Sequence, residues 1–150
     1  KVTVPAGVDT GSRVVLRGMG DAGPNGGASG DLYVYINVRP HKYFIRQGDN
    51  LFVQIPISIT QAALGAEIMV PTIDGKKIKL SIPSGTQHGK MLRLRQYGAT
   101  RLNSTDRGDM YVKIDIQVPK RLNSKAKKLM QELSDALGEV TEPNPVSFED

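Results

Sequence analysis

The sequence predicts a mainly β protein: two related small β-sandwich or sheet domains in tandem, the first truncated, followed by a C-terminal amphipathic α-helix. Three observations predict it. The sequence repeats itself at a fixed offset of 78 residues, and each copy ends in strict apolar–polar alternation. After Pro119 the apolar period changes from two to that of a helix.

The repeat carries most of the information. TVPAGVDTGSRVVLRGMG (3–20) lies over SIPSGTQHGKMLRLRQYG (81–98), so Pro5, Gly7, Gly11, Leu16, Arg17 and Gly20 fall on Pro83, Gly85, Gly89, Leu94, Arg95 and Gly98. At the same offset GDLYVYI (30–36) lies over GDMYVKI (108–114). Without any gap, 13 residues of 1–39 are identical in 79–117, which chance alignment does not produce. Each copy reads as a strand ending in Val4-Pro5 or Ile82-Pro83, a glycine-bearing turn, a strand over 14–17 or 91–95, a loop and a last strand. In that last strand Leu32, Val34, Ile36 and Val38 oppose Tyr33, Tyr35 and Asn37. In the second copy Met110, Val112, Ile114 and Ile116 oppose Tyr111, Lys113 and Asp115. Period-two alternation means a sheet with one buried face. Asp31 and Asp109 each follow a glycine at the strand start, and their repetition implies a structural role in the turn.

The segment 41–78 has no counterpart before Lys1. It predicts strands over 50–60 and 67–73, a helical turn over 61–64, and a hairpin at Asp74-Gly75 of the type I′ kind that this dipeptide favours. If a domain is one such segment plus one repeat, residues 41–120 form a whole domain and residues 1–40 the back part of another. Lys1 opens directly into strand-like sequence with no Met and no signal-peptide pattern, which reads as an excised fragment.

Beyond Pro119, Asn123 or Ser124 can cap a helix running to about Leu137 and closed by Gly138. Leu122, Ala126, Leu129, Met130, Leu133 and Leu137 make its apolar stripe, and Lys125, Lys127, Lys128, Gln131 and Asp135 the opposite face. A helix of this length is marginal alone in water, so the stripe needs a cover. Its own sheet and a second subunit are both open; a position after a complete β domain favours the second, a two-fold homodimer over 121–138. Residues 139–150 hold four acids, no base, Pro143 and Pro145, which predicts a disordered acidic tail.

Composition narrows the function classes. With no Trp and only three Phe, the core falls to Val, Ile and Leu. No apolar stretch approaches the ~20 residues of a membrane helix. There is no cysteine, so disulfides and thiolate metal sites are excluded. The two histidines, His41 and His88, sit in different segments, short of a zinc ligand set, and read as surface or turn residues. The net charge of +5 conceals +9 over residues 1–138, with small clusters at Lys76-Lys77-Lys79 and Lys125-Lys127-Lys128. A nucleic-acid-binding β module is therefore the alternative from another class, although scattered bases read equally as solubility. The glycine-rich loop 18–30 leads into a strand and lacks Gly-Lys-Ser/Thr, so it reads as a surface loop rather than a phosphate cradle. No nucleophile stands beside a base, and no enzyme is expected. What remains is binding: a sheet edge offers unpaired peptide groups to which an extended chain can add as a strand. A purely structural dimerisation arm is the other reading left open.

The motifs VPAGVDTGSRVVLRGMGDAG, GDLYVYINVRPHKYF, AALGAEIMVPTIDGKKIKLSIPSGTQHGKMLRLRQYG and GDMYVKIDIQVP, in that order and spacing, resemble the C-terminal half of the DnaJ family of J-domain co-chaperones over residues 2–137. The resemblance implies that residues 2–40 belong to a β domain whose hydrophobic groove binds unfolded clients, with Val34, then Val14 and Leu16, as groove residues. It implies a second β domain over 41–120 and a dimerisation helix over 122–137. Partners would be non-native polypeptides, a second copy and a DnaK-type heat-shock chaperone, in the cytoplasm. Two parts of the family pattern are missing here: the His-Pro-Asp motif of the J domain and the Cys-x-x-Cys pairs of the zinc region, both of which precede this segment in family members. No cofactor is expected in this chain, with zinc expected upstream in a zinc-containing member. The resemblance implies a fragment that pairs, holds clients weakly and does not stimulate ATP hydrolysis.

Overall fold

The computed structural model describes residues 2–18, 20 and 30–149. Its strands are β1 (Arg13–Leu16), β2 (Leu32–Tyr35), β3 (Ile45–Gln47), β4 (Asn50–Ser58), β5 (Ala66–Pro71), β6 (Lys77–Ile82), β7 (Met91–Leu94) and β8 (Met110–Gln117). Its helices are α1 (Ile59–Leu64) and α2 (Ser124–Leu137). The fold is mainly β, as the alternation predicts. Two compact units result, Lys1–Gln117 and Val118–Asp150.

Within the first unit, β3–β4–β8–β7 form a four-stranded sheet. Its centre is a parallel pair, β4 and β8, in register from Leu51 opposite Met110 to Ser58 opposite Gln117. A parallel pair needs a long crossover, and α1 with the β5–β6 hairpin fills it. One face of β4 and β8 supplies Leu51, Val53, Ile57, Met110, Val112 and Ile114; the hairpin supplies Val70, Leu80 and Ile82. These side chains make one apolar core, closed by Phe44 and Ala62. Each fully buried Ile, Val or Leu contributes about 1.5–3 kcal/mol.

The two sequence copies fold alike from the glycine turn onward; before it, the strand expected to end at Val4-Pro5 is not formed, because no partner strand pairs it among the described residues, whereas its counterpart β6 pairs with β5. In the first, β1 and β2 pair with Val14 opposite Val34 and Leu16 opposite Leu32. In the second, β7 and β8 pair with Leu92 opposite Val112 and Leu94 opposite Met110, the same register shifted by 78. The turns agree too. Gly11 donates its N–H to the Ile36 carbonyl at 3.0 Å, and Gly89 to the Ile114 carbonyl at 2.8 Å. Gly20 N–H meets the Gly30 carbonyl at 2.7 Å, and Gly98 N–H the Gly108 carbonyl at 2.9 Å. The Val38 N–H is accepted by Thr10 Oγ1 and the Ile116 N–H by His88 Nδ1, both at 3.0 Å. His88 is thus a turn residue, as is His41, whose Nδ1 accepts from the Tyr43 N–H at 3.0 Å.

Several boundaries depart from the sequence expectations: β1 is Arg13–Leu16 rather than 14–17, β7 ends at Leu94 rather than 95, and α1 begins at Ile59 rather than 61. β4 stops at Ser58, not 60, because Ser58 caps α1: its Oγ accepts from the Gln61 N–H at 3.1 Å while Gln61 Oε1 accepts from the Ser58 N–H at 2.9 Å. The Asp74-Gly75 turn is not type I′, which needs positive φ at both residues; only Gly75 has it, at 84°. The bend instead closes with Gly75 N–H on the Thr72 carbonyl at 3.1 Å, and Thr72 N–H on the Lys76 carbonyl at 2.8 Å. An extra residue thus lengthens the loop, and β5 ends at Pro71 rather than 73. Most of the loop 18–30 lies outside the described residues.

In the second unit, Asn123 Oδ1 accepts the Ala126 N–H at 2.8 Å and starts α2. Gly138, left-handed at φ 63°, ends it. Leu122 therefore precedes the helix. Among the described residues no helix is long and apolar enough to cross a membrane.

Candidate polypeptide-binding face and pairing helix

Val14, Leu16 and Val34, the residues that the resemblance marks, stand together. Antiparallel register puts Val14 directly across from Val34 and Leu16 across from Leu32, so all four share one face of the β1–β2 sheet. Leu32 is the member that was not singled out in the sequence, although the alternation already places it beside Val34. No residue of β1 or β2 is buried; Val14, Leu16 and Val34 are half-buried and Leu32 is exposed. In the second copy the equivalents of Leu32 and Val34, Met110 and Val112, are at 0% exposure, whereas those of Val14 and Leu16, Leu92 and Leu94, are half-buried as in the first. Met110 and Val112 pack into the core with β4, the β5–β6 hairpin, Phe44 and Ala62, and β4 lies along β8, whereas among the described residues β2 pairs with β1 alone.

The opposite face carries exposed Val15 and Tyr33, with the Arg13 guanidinium 5.1 Å above the Tyr33 ring, and Tyr35 beside them. The loop after β1 is tied to the start of β2 by Asp31, whose Oδ1 accepts the Gly18 N–H at 3.1 Å. Asp109 does the same in the second copy, accepting the Gln96 N–H at 3.0 Å and the Arg93 Nε–H at 2.7 Å. The repeated aspartates have the structural turn role that their repetition implies. Those bonds, the Gln96 N–H first and the Arg93 guanidinium second, hold the Asp109 carboxyl below its ordinary range. Asp74 is held low by its hydrogen bond to Arg107 at 2.6 Å.

Where the first copy meets β3 there is an apolar cleft of about 480 Å³ lined by Val38, Pro40, Phe44, Ile45, Leu51 and Ile73. In α2, Leu129, Leu133 and Leu137 are exposed, and Ala126 and Met130 are half-buried on the same stripe. Leu122, one residue before the cap, is half-buried.

Residues 1–119 match the family model of the DnaJ C terminal domain. The chain belongs to that family. Chaperone protein DnaJ of Ruminiclostridium cellulolyticum is 49% identical over 150 residues, all of this chain and 39% of that protein. The Acetivibrio thermocellus protein of the same name is 49% identical over 139 residues, 93% of this chain and 36% of that protein. That of Treponema denticola is 46% identical over 149 residues, 99% of this chain and 39% of that protein. The chain thus spans about two-fifths of the length of these relatives. The DnaJ relatives are non-enzymatic co-chaperones.

Proposed function

We propose that this chain is the client-holding and pairing part of a DnaJ-type co-chaperone, binding non-native polypeptides for delivery to a DnaK-type heat-shock chaperone in the cytoplasm. The observation that carries the reading is the aliphatic face that Val14, Leu16, Leu32 and Val34 share across β1 and β2, beside the outer edge of β2, which pairs no other strand among the described residues. An extended client adds backbone hydrogen bonds at that edge, which do not depend on its sequence, while its apolar side chains lie against the four aliphatic ones. Such a site distinguishes unfolded from folded chains, because only the former offer both an unpaired backbone and bare apolar side chains.

In this reading residues 1–40 present the client face, 41–120 form a closed β domain, 121–138 pair two copies and 139–150 are an acidic tail. Pairing supports client holding through avidity. The second contact becomes intramolecular, which strengthens binding by ~10²–10⁴ where both sites reach one chain. The α2 stripe supports pairing because Leu129, Leu133 and Leu137 are all exposed on one line.

Photo-crosslinking of a permanently unfolded client to the chain tests the face: Val34→Asp is expected to abolish the crosslink while the folded circular dichroism spectrum stays. Sedimentation tests the pairing, with Leu129→Asp and Leu133→Asp expected to halve the mass. A crosslink that survives Val34→Asp, or an unchanged mass, refutes the respective part.

A further inference from the structure

We propose that Arg46 is a positioning residue: its guanidinium locks the turn of the first repeat onto the loops of the four-stranded sheet, and so fixes where the Val14–Val34 face points. The Arg46 side chain, 20% exposed, donates Nη1–H to the Val8 carbonyl at 2.8 Å and Nη2–H to the Gly7 carbonyl at 2.9 Å. Those carbonyls lie 38 and 39 residues away, in the turn that opens the first repeat. From its own side the guanidinium is held by the Gly48 carbonyl, 2.7 Å from Nε, and by Asp49 Oδ1, 3.3 Å from Nη2. Asp9 Oδ2 stands 3.5 Å from Nε, and Asp49 Oδ2 3.7 Å from Arg101 Nε. Charges of alternating sign therefore run along the seam as Asp9, Arg46, Asp49 and Arg101. A planar fork can hold two neighbouring carbonyls of one segment and a carbonyl of another at once, and an ammonium cannot do so in that geometry.

Gly7 gives a second, independent sign of the same seam. At Gly7 (φ 88°) a Cβ would run into the Thr100 carbonyl oxygen and the backbone nitrogen of Leu102. At Gly85, its counterpart in the second copy, φ is 78° but the space is open. The turn needs glycine in both copies; only the first also needs it for close approach. The β1–β2 sheet gives no residue to the buried core, and a two-stranded sheet alone is marginal in water. Its placement depends on this seam.

Only the consequence for clients rests on the function proposed above; the lock itself is read without client. The 150-residue chain has no cysteine, so spin labels attach only at introduced Asn37→Cys and Lys79→Cys, both exposed positions. The label distance distribution is expected to be narrow in the parent and to broaden in Arg46→Met, in Arg46→Lys and, from the other side, in Gly7→Ala. Amide exchange at Gly11 and Ile36 is expected to quicken about tenfold or more in Arg46→Met, since one charge-assisted hydrogen bond is worth about that factor. Val112 and Ile114 are expected to keep their rates. An unchanged distance distribution overturns the proposal. So does equal quickening in β8, which would make Arg46 a brace of its own sheet. If Arg46→Met fails to fold, Gly7→Ala decides by the same two readings. A parent chain that binds no unfolded peptide sinks the client reading and leaves the label distances to judge the lock.

Discussion

The β1–β2 sheet and the β7–β8 pair are one design in two surroundings. Register, turn hydrogen bonds and the aspartate that ties the loop match under a single offset, yet β8 is sealed and β2 is open. Leu92 and Val112 share a face as Val14 and Val34 do, and Leu92 is half-buried as Val14 is; Val112 lies in the core with β4 and the β5–β6 hairpin, whereas Val34 is only half-buried. What separates a buried face from a half-buried one here is the neighbour, not the strand. Identical local structure therefore predicts opposite responses to the same substitution.

The largest contrast comes from charge. Val112→Asp places a carboxylate with no partner at a fully buried site, which costs several kcal/mol and is expected to unfold the four-stranded sheet by circular dichroism. Val34→Asp is expected to leave that sheet folded; loss of the fold in both would show that the first face is core after all. Cavity formation gives the next contrast. Ile114→Ala, at 0% exposure, is expected to cost about 2–5 kcal/mol in urea unfolding. Ile36→Ala, at the equivalent half-buried position, is expected to cost less than half as much, and equal losses would erase the distinction.

A smaller difference sits in the loops. Gln96 adopts φ 63° where its counterpart Gly18 has φ 73°, and a side chain there costs about 1 kcal/mol. Gln96→Gly is therefore expected to raise the melting temperature and Gly18→Gln to lower the stability of the β1–β2 turn by amide exchange. The last contrast is one of direction. Because the folded state holds the Asp109 carboxyl below its ordinary value, its contribution is complete above the unfolded pKa, roughly 3.9, and disappears as pH falls through the lower folded value. Asp109→Asn is expected to flatten that acid-side fall in melting temperature. An unaltered acid profile would mean that the Gln96 and Arg93 bonds draw nothing from the charge.

Much of this was legible in the residues. The offset of 78 carries the strand pairing of each copy, because a repeated GD-x-YV segment and a repeated glycine turn leave one common register. The aliphatic face was readable from the alternation at 32, 34 and 36. Its exposure was not, since burial depends on β4, which pairs with β8 across the whole crossover. The equivalence of Thr10 and His88 was hidden because a hydroxyl and an imidazole look unlike in sequence, though both serve as acceptors for the same backbone N–H. Arg46 gave no pattern at all: two of its partners are backbone carbonyls 38 and 39 residues away. The Ser58–Gln61 capping box is visible as Ser-x-x-Gln, and it ends the strand two residues before the apolar run does.

The parallel join of β4 to β8 has a consequence in time. Leu51 and Met110 are partners 59 positions apart, so on a ribosome adding ~5–20 residues per second, β4 is complete roughly 3–12 s before its partner is synthesised. Through that interval Leu51, Val53 and Ile57 lack the strand that seals them. The newborn chain briefly displays to the cell the kind of segment that we propose its finished form to hold in others.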